Sequence, residues 1–435
     1  MLPRSITQRW KIHESTQRSW VRLAFVFGIF LPTLSCILYG ITVRTPWYQA
    51  YQGYRMGQRL SQALGMTVTV ARSWNPSPYR CVLDEVIVFD HETHKEILRV
   101  SQVNAEWKGQ GWDLRMHQPT LQGEQLASAW RMIHDWYLCR TENRTGKVRL
   151  VSPQLEVMNS VHSPALLDLE ILIDPDPRSM HTTVRYRQSN DAQSEGVRID
   201  LVRHHDPNVP NTEVVLQSGT TKIPCSLLAD YIPSLQSLGE QAYFQGTLRW
   251  KQDGFGQWEI RTDAQHPSAF GNIQGNAISS WVAPNAITGR FQLALQELWI
   301  QNGQCVRIAG QCTSSEQGGY IQKELLLRST QAQLGRAIAG KIEQKNPEVW
   351  YTDLAMEFDL SATGLTLRGL LIPRESQYRA YRAMITTKEE TLLFDPDQAL
   401  TLQNLVYWLG GAHNPLVARL SPPLAQPAPR MAGVR

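Results

Sequence analysis

The residues that could do chemistry are few and scattered. The richest group of metal ligands is His91-Glu92-Thr93-His94. A zinc-protease helix needs its histidines four apart on one face, with the glutamate next to the first. Here they are three apart and lie between two predicted strands, so the segment reads as a charged hairpin turn. His204-His205-Asp206 runs into Pro207 and Pro210, which makes it a loop whose side chains need not converge. His134 and Asp135 flank the apolar stripe of a predicted helix, and Gly254 with Gly256 is an isolated pair that a tight turn explains. No Gly-x-Ser-x-Gly elbow or phosphate-binding glycine loop occurs. The reading is of a protein that is not an enzyme, with no metal and no cofactor.

The six cysteines do not alter this. Cys36 falls in an apolar segment, leaving Cys81, Cys139, Cys225, Cys305 and Cys312, an odd number that leaves at least one thiol unpaired in a single chain. No C-x-x-C pair is present to suggest zinc. If Cys305 and Cys312 share one extended strand, they stand about 23 Å apart on opposite faces, well beyond the roughly 7 Å Cα limit for a disulfide.

What positions these residues is a chain of 435 amino acids, 42% hydrophobic, with a formal charge of +4. Such a chain can bury a large core. Its basic residues form no cluster of the kind nucleic acid requires. The segment Leu23 to Val43 has no charge, and about 21 helical residues span roughly 30 Å, the hydrocarbon thickness of a bilayer. No A-x-A cleavage site follows, so an uncleaved anchor is expected rather than a removed signal. Arg4, Arg9, Lys11, Arg18 and Arg22 precede it against Arg44, Arg55 and Arg59 after it, which favours a cytoplasmic N-terminus and places the bulk of the chain outside the inner membrane.

A juxtamembrane helix is expected from Trp47 to Leu64, with Met56, Leu60 and Ala63 at helical spacing. Trp47, Tyr48, Tyr51 and Tyr54 suit the aromatic belt of a membrane interface. The period then changes to two. Val103, Ala105 and Trp107 alternate with polar residues, as do Trp112, Leu114 and Met116; Leu167, Leu169, Ile171 and Ile173; Val197, Ile199 and Leu201; Phe291, Leu293 and Leu295; and Met356, Phe358 and Leu360. Asn302-Gly303 and Asp253-Gly254 are hairpin dipeptides. Together these predict a mainly β protein: an elongated, curved antiparallel sheet with a few amphipathic helices. Helices are expected over 121–139, where Leu126, Trp130, Ile133 and Tyr137 form a stripe, and over 226–238, 330–342, 374–384 and 398–409.

The layout is a basic segment 1–22, a transmembrane helix 23–43, a first sheet segment 44–145, the main sheet 146–372, a C-terminal helical segment 373–414 and a disordered Pro/Ala-rich tail 415–435.

Leu83-Asp84-Glu85-Val86-Ile87-Val88-Phe89-Asp90, a D-x-x-T-x-K turn through Lys95, then Ile97-Leu98-Arg99-Val100 follow the anchor. Glycine-punctuated strands come later: Phe244 to Leu248, Gly271 to Gly275, Gly289 to Phe291, Leu298 to Gly303 and Gly364 to Gly369. In this order of features the chain resembles the AsmA-like envelope proteins over roughly two thirds of its length. The resemblance implies a β-sheet groove with an apolar interior, anchored in the inner membrane, facing the periplasm and handling lipids in envelope biogenesis. Its partners would be membrane lipids, with other envelope proteins or further copies of the chain completing a path. At about 18 strands and 4.8 Å each, such a groove would be at most roughly 85 Å long. On this reading Leu169, Ile171, Leu293, Leu295, Phe358 and Leu360 line it. Periodicity alone favours a packed core, and with it a non-enzymatic envelope scaffold carrying no lipid; the resemblance is what brings the groove forward.

Overall fold

The computed structural model describes residues 14–125, 146–158, 165–176, 178–188, 196–205, 210–228, 238–262, 268–279, 287–302, 304–315, 318–337, 344–362, 364–396 and 398–401, with the single positions 128, 130, 134, 138, 235 and 342. The tail expected to be disordered lies outside them.

Helix α1 (Glu14–Phe25), a π-helical turn (Val26–Phe30) and α2 (Leu31–Arg44) run on without a break. Residues Arg18–Arg44 are long and apolar enough to cross a membrane, and none of that span is buried against the rest of the chain. The π turn sits just ahead of Pro32, whose ring and missing N–H disturb the preceding turn. The Thr33 and Ser35 hydroxyls donate to the carbonyls of Ile29 and Leu31 at 2.7 and 2.8 Å beside it. Helix α3 (Pro46–Leu64) follows after Thr45 and ends at Gly65, left-handed at φ 66°, the conformation a glycine C-cap adopts without strain.

The strands follow: β1 (Thr67–Ser77), β2 (Arg80–Phe89), β3 (Glu96–Trp107), β4 (Gly111–Gln122), β5 (Lys147–Met158), β6 (Ala165–Pro175), β7 (Ser179–Arg187), β8 (Val197–His204), β9 (Asn211–Gln217) and β10 (Ile223–Pro224). After α4 (Cys225–Leu228) come β11 (Tyr243–Gln245), β12 (Thr247–Asp253), β13 (Trp258–Thr262), β14 (Ser268–Gln274), α5 (Gly275–Ser279), β15 (Arg290–Gln301), β16 (Gln304–Ser314) and β17 (Gly319–Gln322). Then α6 (Lys323–Gln331), β18 (Glu348–Tyr351), β19 (Asp353–Ser361), β20 (Gly364–Gly369), β21 (Ala383–Thr386) and β22 (Thr391–Phe394) complete the described chain.

One 20-stranded sheet takes all but β17 and β18, and its neighbours follow chain order from β1 to β9. β1 to β9 pair in succession, β9 pairs β12, β12 pairs β13, and β13 and β14 share one side of β15, whose other side carries β16, then β19, β20 and β21. Asn302, at φ 49°, turns β15 into β16, and Asp253 Oδ1 accepts from the Phe255 and Gln257 N–H groups to turn β12 into β13, as their dipeptides predict.

The sheet is mixed, not antiparallel throughout: β4 and β5 are parallel, from Gly111 beside Lys147 to Gln122 beside Met158. The segment between them must therefore cross over the sheet rather than turn as a hairpin. Of the helix expected over 121–139, Leu121 and Gln122 belong to β4 and Gly123–Gln125 form a 3-10 turn, while most of the rest lies outside the described residues.

Other expected helices also differ. α6 ends at Gln331, where a helix over 330–342 was expected to begin. Over 374–384 there is only the 3-10 turn Ser376–Tyr378 before β21. The first turn of 226–238 is helical and most of the rest lies outside the described residues; of 398–409 only 398–401 are described, with Leu400 bridging Leu365.

Candidate functional site: the apolar face of the sheet

β1 has β2 on one side and α3 on the other. The Ser61 hydroxyl accepts from Val68 N–H at 2.8 Å and lies 3.3 Å from the Val68 carbonyl, so it occupies the hydrogen-bonding edge of the first strand. A Cβ on Gly57 would stand 2.8 Å from the Val68 carbonyl, and one on Gly53 2.7 Å from that of Val70. Glycine at i and i+4 thus lets the helix lie directly on backbone, and the exposed edge that invites pairing with other chains is covered. Met56, Leu60 and Leu64 turn inward onto the cluster of Val68, Val70, Val86, Val88 and Val100. Trp47, Tyr51 and Tyr54 face out, 66%, 50% and 61% exposed, while Tyr48 is half-buried and edge-on to Trp47.

The apolar phase slips by one residue in six successive strands. Core positions are separated by three rather than two at Val70/Ser73, Leu83/Val86, Val100/Val103, Met116/Pro119, Ser152/Leu155 and Leu166/Leu169. Between them lie consecutive outward pairs: Ala71-Arg72, Asp84-Glu85, Ser101-Gln102, His117-Gln118, Pro153-Gln154 and Leu167-Asp168. All lie in register across β1 to β6. Glu85, Gln118 and Asp168, on alternate strands, have φ near +50°. A lone slip would break the register with its neighbours. Here every strand slips together, pairing survives, and the sheet creases along one line. The slip ends at β6–β7, where the register shifts between Leu167 and Glu170. The line of alternation through Leu167 therefore passes to Leu166, which packs with Leu169 and Ile171. On the polar side the crease opens a cleft of about 680 Å³ lined by Glu85, Arg99, His117 and Gln118 among others.

The crease divides the apolar face. On the α3 side Val86, Val88, Val100, Leu155 and Val157 are buried. Beyond the row next to the crease on the other side, Cys81, Ala105, Leu114, Leu150, Ile171, Val184 and Ile199 are only half-buried and form a band from β2 to β8. Trp130 and Leu138 of the crossover pack on the β6–β9 end of this band, with Trp130 5.4 Å from Trp250. There Arg203 is buried; it donates to Thr212 Oγ1 at 2.8 Å while its Nε has no partner, and His134 Nε2 lies 3.0 Å from the same hydroxyl.

The six residues expected to line a groove fall into two groups. Leu169, 5% exposed, and Ile171 belong to the first cluster; Leu295, 4% exposed, with Leu293 and Phe358 belongs to a second. Leu295 and Phe358 lie in one row through Gly310, and Leu360 pairs with Ile308 one step along. Leu216 packs against both clusters and joins them. The second cluster is covered by Leu325 and Leu326 of α6, Val349 and Tyr351 of β18, and Met384, Ile385, Leu392 and Leu393 of β21 and β22.

His91, Glu92 and His94 are exposed in the β2–β3 turn, and among the described residues no three His, Cys, Asp or Glu side chains come together as a metal site. Asp90 organises that turn: its Oδ1 accepts from Glu92 N–H at 2.9 Å, and this bond holds its carboxyl below the usual range. Cys305 and Cys312 share β16 and both are free thiols, as are Cys36, Cys81 and Cys225; Cys139 lies outside the described residues. Burial pushes the Cys305 thiol up to about 11, and those of Cys225 and Cys312 to about 12.

These features define a β-sheet protein with an N-terminal helix long and apolar enough to span a bilayer. Comparison with known proteins returns no match to a family model, a curated protein or a solved structure.

Proposed function

We propose that this chain is a membrane-tethered, non-enzymatic protein that holds the apolar chains of a lipid against the half-buried band of its sheet, and that it serves the cell envelope in the manner the AsmA-like resemblance implies. The observation that carries the reading is the band itself: a contiguous row of apolar side chains from Cys81 on β2 through β3 to β8, each only partly buried. Contiguous apolar surface left partly open is the kind that serves as a binding face. The buried guanidinium of Arg203 on the same face suits the anionic head of an amphiphile, because an unpaired buried charge is costly. On this reading the N-terminus is cytoplasmic and the sheet lies beyond the inner membrane.

The closed-core scaffold is favoured by a different observation, the near-complete burial of Leu169 and Leu295. One experiment separates them. The full chain is extracted in mild detergent and bound lipid is measured by mass spectrometry beside a thermal melt. Lipid binding predicts phospholipid on the wild type, its loss in Ile171→Asp, and little change in melting. Leu295→Asp buries an unpaired charge and should cost several kcal/mol. A wild type without lipid, with Ile171→Asp as destabilised as Leu295→Asp, favours the scaffold.

A further inference from the structure

α3 and β1 run antiparallel, since Gly57 lies against Val68 and Gly53, about one turn earlier, against Val70 and Ala71. Four helical residues rise about 6 Å and two strand residues about 6.6 Å, so each such step back along α3 advances two residues along β1. The start of α3, where the apolar helix joins, is therefore level with the Ser73–Ser77 end of β1. The β1–β2 and β3–β4 turns lie at that end, one beside the other. They carry Tyr79, 65% exposed, and Trp112, 37% exposed, with Trp112 edge-on to Trp107 at 5.3 Å. Trp107 N–H donates to the Tyr79 carbonyl at 2.8 Å, tying the turns into one rim. The charges of the rim pair off, Arg80 with Glu106 at 2.8 Å and Lys108 with Asp113. Beside these exposed but paired charges, the rim's outward hydrophobic groups are aromatic, the side-chain chemistry that settles where hydrocarbon meets water.

We propose that this rim is a second membrane contact, in which Tyr79, Trp107 and Trp112 enter the headgroup layer of the bilayer that the apolar helix crosses. It rests on the membrane-tethered reading above and adds to it a place of entry, because Trp107 and Trp112 stand at the mouth of the half-buried band. Since the rim's ion pairs cancel, the contact does not require anionic lipid.

The test places photo-reactive p-benzoylphenylalanine singly at Leu38, Trp47, Tyr79, Trp112 or Phe255 of the full chain. Each variant is irradiated in nanodiscs of phosphatidylcholine alone, and lipid adducts are located by peptide mass spectrometry. Phe255 is 78% exposed on the β12–β13 turn, eight strand spacings beyond β2, roughly 40 Å along the sheet. Adducts at positions 38, 47, 79 and 112 but not at 255 are expected. Adducts at 38 and 47 without 79 and 112 would overturn the rim contact and leave the anchor standing. Phe255 lies at the same end of the strands, so labelling at 255 equal to that at 79 would overturn the local rim contact in favour of membrane contact along the whole edge of the sheet. No adduct at 38 would sink the membrane-spanning reading itself. Adducts at 79 that appear only when phosphatidylglycerol is added would refute the charge-neutral contact.

Discussion

Replacing Gly57 by valine tests whether α3 is an integral part of the sheet or only a tether beside it. A helix that merely lies at a membrane surface should gain slightly, by about 0.4 kcal/mol, since valine is a better helix former than glycine. Here the new Cβ would come within 2.8 Å of the Val68 carbonyl oxygen and within 3.5 Å of Val70 N, both backbone atoms that cannot swing aside. Overpacking of this kind costs typically 1–3 kcal/mol, and the branched side chain against backbone belongs at the upper end. The net loss is about 2–3 kcal/mol, felt where Val68 N–H meets the Ser61 hydroxyl. Hydrogen exchange reads it directly: with about 1.4 kcal/mol per factor of ten, amides of Val68 to Val70 should exchange roughly 30- to 150-fold faster. Gln58→Val, one residue on along α3, is the control and should change little. If exchange in β1 is the same in Gly57→Val and Gln58→Val, the helix does not cover the sheet edge through its glycine face and the reasoning fails.

Two further outcomes follow from the titrating groups. The Asp90 carboxyl is held low by the Glu92 N–H; its contribution is present above the usual carboxylate value near 4 and is lost as pH falls through the lowered folded value. The stability difference between wild type and Asp90→Asn should thus be about 1 kcal/mol at neutral pH and close to zero near pH 2, and a difference independent of pH would count against it. Thiols raised to about 12 at Cys225 and Cys312 carry almost no thiolate at pH 8. Iodoacetamide should label them only after denaturation, and labelling of the native chain within minutes would show that α4 and β16 are not packed as described.

Much of the fold is readable in the chain because it depends on local rules. The apolar helix and α3 follow from composition and a 3.6-residue period, and the turns at Asp253 and Asn302 follow from the conformations those residues tolerate. The crease is not readable strand by strand. Val103 to Trp107 and Trp112 to Met116 each alternate correctly on one side of it, and the slip acquires meaning only when six registers align. The parallel pairing of β4 with β5 is likewise decided by a crossover, not by either strand. Gly53, Gly57 and Ser61 show their spacing in the sequence, but their purpose needs β1 as partner. β21 and β22 escaped notice for the opposite reason: every residue of both is buried, so neither has the polar face that produces a period of two. As for the site, the apolar character of Leu169 and Leu295 was legible, whereas the difference between their burial and the half-exposure of Ile171 depends on what covers each part of the face.

That difference in cover bears on what kind of lipid handling the proposal can mean. A conduit needs its apolar face open along its whole length. In this chain β17, β18, α6, β21 and β22 lie over the second cluster, with Leu326 and Tyr351 fully buried there, so that part of the face already has its partner. α3 meets the same need on its own side of the crease through Met56, Leu60 and Leu64. The band from β2 to β8 lacks such a covering element over most of its length among the described residues, and from β2 to β6 it measures roughly 20 Å at 4.8 Å per strand. Under the proposal, a face of that extent would take a small number of acyl chains beside the rim, and it ends against Trp130 and the crossover. The proposed role is then to receive and hold a lipid rather than to carry it along the sheet, since passage beyond Trp250 would require α6 and β18 to lift from the second cluster.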